Sequence, residues 1–441
     1  MRFLLALWAA AGLAAAQQNA TGDDARALLL GVRKTVMQTV ERLPRYLCTE
    51  TIDRSVLEPV EPIADRSCDE LAGLRKKADW HVRQHSSDRL RLDVAVSRDD
   101  EMYSWVGEDR FQDGSLASLV GSGATSTGIF ASFLGSIFGS DAASFTYNGD
   151  TNSKGRVLSE FGFRVPLEKS NFRIGNKAHY GAVGYYGTFL VDPATFELVS
   201  LTVHADQLPS ELHACESTTT LDYGSIRING YEFLIPSSAT WRVVDDDGIE
   251  LDSRTVFANC HEFVGESTLR FDGASENAPA GLPNGGGRSE LPPDLSFLVA
   301  LTTPIESATA AAGDPFRAEL SRAIKDKHNG ILVPKGAAVR GRIVRIERTY
   351  EAGTQFLTLA VRLETIDVKG VQQPLHASLT SVVKRHPRVY GYLAGRQDLG
   401  TFGQMVNAQD RAVGVLEFRD VTSNYVIRAG LTIEGRTAAG K

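Results

Sequence analysis

The sequence predicts a mainly β (α+β) protein: an N-terminal curled antiparallel sheet with a helical lid, followed by a C-terminal small β-barrel. Three observations carry this expectation. Residues 185–271 are dense in aromatic and β-branched residues, broken by turn residues at strand-length intervals. Two of those turns, Asn229-Gly230 and Asp247-Gly248, supply the positive φ angles of tight hairpins. A Gly/Pro-rich stretch at 273–293 then separates this run from a second set of alternating segments.

The chain has 441 residues, which suggests two or three domains. Hydrophobic residues make up 42% and charged residues 23%, as in an ordinary globular protein. A net charge of −7 is of the wrong sign for a nucleic-acid binder. Met1 to Ala16 has the pattern of a secretory signal: Arg2, an apolar core from Phe3 to Leu13, then Ala14, Ala15 and Ala16 before Gln17. Past it no run reaches the roughly 18 apolar residues of a membrane span. The expectation is an exported protein, periplasmic or secreted, whose domains cover 17–272 and 294–437, with a helical insertion at 121–145.

Export makes the four cysteines, Cys48, Cys68, Cys215 and Cys260, a disulfide framework. Cys48–Cys68 and Cys215–Cys260 are the expected pairs, because each closes a loop within one region of the chain. A metal site from His213, Cys215, Cys260 and His261 is disfavoured, since the adjacent Cys260 and His261 point to opposite faces of a strand. No metal and no cofactor is expected.

In chain order, residues 23–43 read as a helix. Asp23 or Asp24 caps it, Leu28, Leu29, Val32, Val36 and Val40 fall at helical spacing, and Pro44 stops it. Strands are expected at 46–52, at 90–96 with Leu90, Leu92, Val94 and Val96 on one face, and at 101–106. Residues 121–140 are rich in Gly and Ser, yet Ile129, Phe130, Phe133, Leu134, Ile137 and Phe138 repeat at helical spacing. These six are the candidate ligand-binding residues, on a short helix that plugs the sheet or covers an apolar pocket. Strands follow at 161–167 and 180–190, and then the meander. There Leu221, Tyr223 and Ser225 point one way and Thr220, Asp222 and Gly224 the other. Past the linker, strands are expected at 295–303, 330–337, 338–346, 356–366, 414–418 and 425–433, with Lys384 to Gln404 as an irregular basic loop.

Residues 23–272, a helix followed by a long meander with a helical insertion, resemble the lipoprotein-carrier fold of the LolA, LolB and RseB proteins. The segment Gly187-Thr188-Phe189-Leu190-Val191-Asp192-Pro193 through Leu201 is similar to a strand pair of that family. The resemblance implies a half-barrel with helical lids that holds lipid or acyl groups, and a non-enzymatic role. Residues 295–437 resemble the β-barrel of TrbI-type conjugation scaffold proteins. Asp326-Lys327-His328-Asn329-Gly330-Ile331-Leu332-Val333-Pro334-Lys335-Gly336-Ala337 and then Val339-Arg340-Gly341 carry that likeness. It implies a structural module.

No G-x-S-x-G, H-E-x-x-H, C-x-x-C or P-loop pattern occurs. His81 and His85 would share a helix face, but without a third ligand they read as surface residues. Asp245, Asp246 and Asp247 read as a solvated hairpin tip. The expected function is therefore non-enzymatic binding or structural work in the cell envelope, with an apolar ligand or an envelope protein as partner. The competing classes are an envelope assembly component and a secreted hydrolase using dispersed carboxylates.

Overall fold

The computed structural model describes residues 6–61, 63, 66–97, 100–108, 111, 116–120, 130, 132–153, 155–175, 180–263, 291–382, 389–392, 413–419 and 421–439, with backbone alone at 6–22, 100, 117–118, 180, 381–382 and 389–392. Helix α1 (Ala6–Arg42) leads into strand β1 (Tyr46–Pro59). The helix begins upstream of Asp23, because the Ala-rich stretch before it is itself strongly helix-forming. Its stripe lies where the spacing put it: Val32 and Val36 are buried, with Leu28, Leu29 and Val40 packed on the same core.

Helix α2 (Cys68–Arg75) follows, started by a capping box in which Ser67 Oγ accepts from Glu70 N while the Glu70 carboxylate accepts from Ser67 N. Then come β2 (Val82–Ser97), β3 (Asp100–Trp105), and helices α3 (Leu116–Val120) and α4 (Ser132–Phe138). Next are β4 (Ser144–Ser153), β5 (Arg156–Val165), β6 (Arg173–Gly175), β7 (Tyr180–Ala182), β8 (Gly184–Val191) and β9 (Leu198–Asp206). The expected meander closes the half as β10 (Ala214–Ile228), β11 (Tyr231–Asp245) and β12 (Glu250–Glu262). Both predicted turns hold: Asn229 and Gly230 have φ of 51° and 84°, and Gly248 has 78°. Residues 268–271, expected to close the meander, lie outside the described residues.

Register and side-chain alternation decide which face is buried. β12 pairs β1 antiparallel, and β1 pairs β2, so the last strand of the meander returns to the first strand of the half. On the face turned to the core Ile52 stands opposite Leu90 and Cys48 opposite Val94, with Leu221 and Phe257 on the same core. The opposite face carries Thr51, Asp53, Ser55 and Arg89, none of them buried. Gly187 is required where β8 meets β9: a Cβ there would stand 1.8 Å from Thr202 O.

The C-terminal half runs β13 (Ser296–Leu301), β14 (Ile305–Glu306), β15 (Pro315–Leu320), β16 (Ile324–Lys325), β17 (Ile331–Val333), β18 (Ala338–Glu351) and β19 (Thr354–Val368). It continues with β20 (Val371–Pro374), β21 (Ala377–Val382), β22 (Val389–Tyr392), β23 (Val413–Arg419), β24 (Val426–Ile427) and β25 (Thr432–Thr437). β22 corrects the expected loop at 384–404, since Val389, Tyr390 and Tyr392, three aromatic or β-branched positions inside it, pair with β23. A second apolar core gathers Phe297, Phe316, Leu357, Leu359 and Phe418.

Two expectations need correction. The C-terminal strands do not close a barrel among the described residues: β21 pairs only β25, β23 pairs β19 and β22, and no ladder joins β21 to β23. Nor are the two halves separate sheets. β18 pairs β2 through Glu347↔Asp88, Arg348↔Ser87 and Thr349↔Ser86, which makes one 19-stranded sheet. Ala312 also enters the first core, where it pairs Leu90 in a parallel bridge. Gly313, with φ of 104°, lets the backbone pass there, because a Cβ would meet Arg91 O at 2.0 Å.

The disulfides are Cys48–Cys260 and Cys68–Cys215, not the local pairs the sequence suggested. The reason lies in strand length. β1 carries the chain about 36 Å from Cys48 before it turns toward α2, so Cys48 and Cys68 lie far apart. The register instead places Cys48 beside the end of β12, where Cys260 sits. Cys215 opens β10 near the far end of β11, close to α2.

Candidate functional site

α4 packs on the core-facing side of the sheet. Of the six candidate residues, Phe130, Phe133, Leu134, Ile137 and Phe138 are all buried, and Ile129 lies outside the described residues. Their neighbours form a continuous aromatic layer. Phe133 lies 5.0 Å from Phe172 and 6.0 Å from Tyr185 between ring centroids. Phe138 lies edge-on to Phe189 at 5.0 Å, and Phe189 stacks on Phe161 at 5.3 Å. A helix of seven residues has no stability of its own in water, so this packing is what holds it helical. α1 fastens its far end: Arg33 Nε donates to Phe138 O at 2.9 Å and Nη2 to Ser140 O at 3.0 Å.

Beside the aromatic layer lies a polar cluster that the sequence reading missed. Tyr46, Glu50 and Tyr223 point into the core, and Glu50 is 1% exposed. Tyr46 Oη, Tyr223 Oη and Glu50 Oε2 find no hydrogen-bond partner among the described residues. Next to them the Tyr103 hydroxyl donates to Glu101 Oε2 at 2.6 Å, and Glu101 Oε1 accepts from Phe130 N at 3.2 Å. The segment leading into α4 is thus tied to the cluster. Phe130 also lies edge-on to Tyr46 at 5.8 Å and to Phe257 at 4.6 Å, and Phe257 is the register partner of Glu50. The missed signal was the β1 alternation itself, which puts a carboxylate at an inward position between Cys48 and Ile52.

Burial first, and the Glu101 charge second, push the Glu50 carboxyl up to about 8. Glu50 is therefore protonated at neutral pH and able to donate. The folded state holds this proton between roughly pH 4.3, the ordinary glutamate value, and pH 8, whereas the unfolded chain has released it. Stability contributed by the neutral form is complete below the unfolded value and declines as pH rises through the folded one. We expect the melting temperature to fall between pH 5 and pH 8, and Glu50→Gln to flatten that slope. A slope unchanged by Glu50→Gln in a pH series of thermal melts would contradict the assignment.

The other sequence candidates are dispersed. His81 precedes β2 and His85 lies on it, 3.5 Å from Glu58, so the two share no helix. His213 Nδ1 pairs with Asp246 at 2.8 Å, and His261 Nδ1 lies 2.8 Å from Asn259 O. The Asp245 carboxylate accepts from Asp247 N and Ile249 N, closing the hairpin tip. Among the described residues no three His, Cys, Asp or Glu side chains cluster as a metal site would need, and no helix is long and apolar enough to cross a membrane.

No protein-family model matches this chain, and no curated protein matches it. Among solved structures, a DUF1329 family protein from Desulfovibrio piger ATCC 29098 is similar at a TM-score of 0.26 and 11% identity, over 55% of this chain and 94% of that one. A TM-score of that size does not establish a common fold, and the chain is assigned to no family.

Proposed function

We propose that this is an exported, non-enzymatic binding protein that holds a neutral acyl lipid on the concave face of its N-terminal sheet, in the place α4 occupies. The observation that carries the reading is the unsatisfied polar cluster at the end of the aromatic layer. Buried hydroxyl and carboxyl groups without partners are costly, at about 1–3 kcal/mol each. Three of them meet around Tyr46, Glu50 and Tyr223. An ester or amide carbonyl would accept from these donors, and a chain running along Phe161, Tyr185 and Phe189 would replace the contacts that Phe133 and Phe138 of α4 make there. The nearby Glu101 carboxylate disfavours an anionic head group. The two disulfides suit an oxidising compartment and support the export reading of residues 1–16.

The test is organic extraction of protein purified without detergent, with mass spectrometry of the extract, together with titration of a lipophilic fluorescent probe. The expected results are a co-purifying acyl lipid, saturable probe binding, and loss of that binding in Tyr46→Phe/Tyr223→Phe. An empty extract and a silent probe would remove the reading.

A further inference from the structure

The opposite face of the same sheet carries a second, chemically different feature: a cleft of about 800 Å³ at the junction of the two halves. Its floor follows from the register. One cross-strand rung runs Thr220, Thr240, Arg254, Asp53 and Arg89, each opposite the next. The adjacent rung runs Thr218, Arg242, Asp252, Ser55, Ser87 and Arg348, the last step crossing from β2 to β18. Arg75 of α2 bounds one end. Ser307 and Ala310 of the C-terminal half bound the other.

The carboxylates of this floor are already engaged. Asp53 holds Arg89 at 2.5 Å and Asp252 holds Arg242 at 2.8 Å, while Glu216 pairs with Arg75. Two arginines are left over. Arg254 makes no hydrogen bond or ion pair, though Asp53 stands opposite it in the ladder. Arg348 donates to neutral groups only: Ser307 O, Ser307 Oγ at 3.0 Å and Ser423 O at 2.9 Å. Its guanidinium is half-buried, its buried Nε has no acceptor, and Arg89 lies close enough to repel it. Positive charge in a partly enclosed cleft, unneutralised by any carboxylate, attracts an oxyanion. Two strands, and so three strand spacings of about 14 Å in all, lie between the strands of Arg254 and Arg348, within reach of two arginine side chains that meet over Ser55 and Ser87. The hydroxyls of Ser55, Ser87 and Thr240 make no bond within the protein.

We propose that this cleft binds a small hydroxylated anion, a sugar or polyol bearing a phosphate. Arg254 grips the phosphate as a bidentate donor, and Arg348, whose Nη2 is held by Ser307 and Ser423, donates to it through Nη1. The serine and threonine hydroxyls meet the hydroxyls of the body. The size fits, since small-molecule sites run from about 300 to 1,000 Å³. The site is independent of the concave face: it lies across the sheet from α4 and uses none of its residues.

The experiment is calorimetric titration of the full chain with glucose 6-phosphate, inorganic phosphate and glucose. Glucose 6-phosphate should bind saturably, inorganic phosphate more weakly and glucose not at all. Arg254→Gln should weaken binding about tenfold or more, the cost of one charge-assisted bidentate contact. Because Arg254 is exposed and makes no hydrogen bond or ion pair among the described residues, the melting temperature of this variant should stay at the parent value. Arg348→Gln should weaken binding similarly, and raised salt should weaken it in the parent but less in Arg254→Gln. Equal binding of glucose and its phosphate, equal affinity in Arg254→Gln and parent, inorganic phosphate binding as tightly as the sugar phosphate, or no heat with any anion would each overturn the proposal. Tyr46→Phe/Tyr223→Phe, which removes the hydroxyl donors of the concave face, should leave this titration unchanged.

Discussion

Replacing Cys48 and Cys260 together by alanine is expected to lower the unfolding free energy by about 4–5 kcal/mol, read as a shift in the midpoint of urea denaturation. The size follows from the span: the bond joins residues 212 apart and closes β1 onto β12. Cross-linking distant residues removes more freedom from the unfolded chain than cross-linking near ones. Cys68→Ala/Cys215→Ala, across a separation of 147, should cost slightly less. Had the cysteines paired locally, both losses would be smaller. Peptide mapping without reductant checks the connectivity directly. A fragment linking Cys48 to Cys68 would contradict both the pairing and the strand register behind it.

Arg54→Leu is expected to cost about 3–5 kcal/mol, because it strands a buried carboxylate. Arg54 grips Asp88 through Nε at 2.8 Å and Nη2 at 2.5 Å, and the two side chains are 2% and 7% exposed. Glu347 joins them: it stands opposite Asp88 in the β2–β18 ladder and pairs with Arg345. Burial pushes its carboxyl up to about 7, against the pull of Arg345. This group of charges sits where the two halves of the sheet meet, so Arg54→Leu should also expose the junction to limited proteolysis. The double change Arg54→Leu/Asp88→Leu should recover most of the loss, since apolar replacement of a complete buried pair is often nearly neutral. If the single change costs under about 1 kcal/mol in urea denaturation, the junction is not held this way.

Local features were readable in the sequence wherever one face of an element is buried and short-range turn chemistry fixes the register. The α1 stripe, the inward set Leu90, Leu92, Val94 and Val96, and the hairpins at Asn229-Gly230 and Asp247-Gly248 are of this kind. Long-range pairing was not readable. The β2–β18 ladder joins Ser87 to Arg348, and alternation in neither strand specifies its partner. The disulfides failed for the same reason, since proximity along the chain is a poor guide when a strand runs straight for fourteen residues.

The candidate site was legible in part. Helical spacing found the apolar side chains of α4 but not Glu50, Tyr103 or Tyr223, because polar residues inside a strand read as outward-facing. The outer cleft left no local signal at all, being assembled from residues on seven strands whose order only the register supplies.

If an acyl lipid takes the place of α4, the helix must leave the sheet on binding. Hydrogen exchange of residues 132–138, followed while a monoacylglycerol is titrated into delipidated protein, tests it most directly. Exchange there should accelerate as binding saturates, as the helix leaves the sheet, while α2 at 68–75 stays unchanged. Saturated binding with unaltered or slower exchange across α4 would contradict the account.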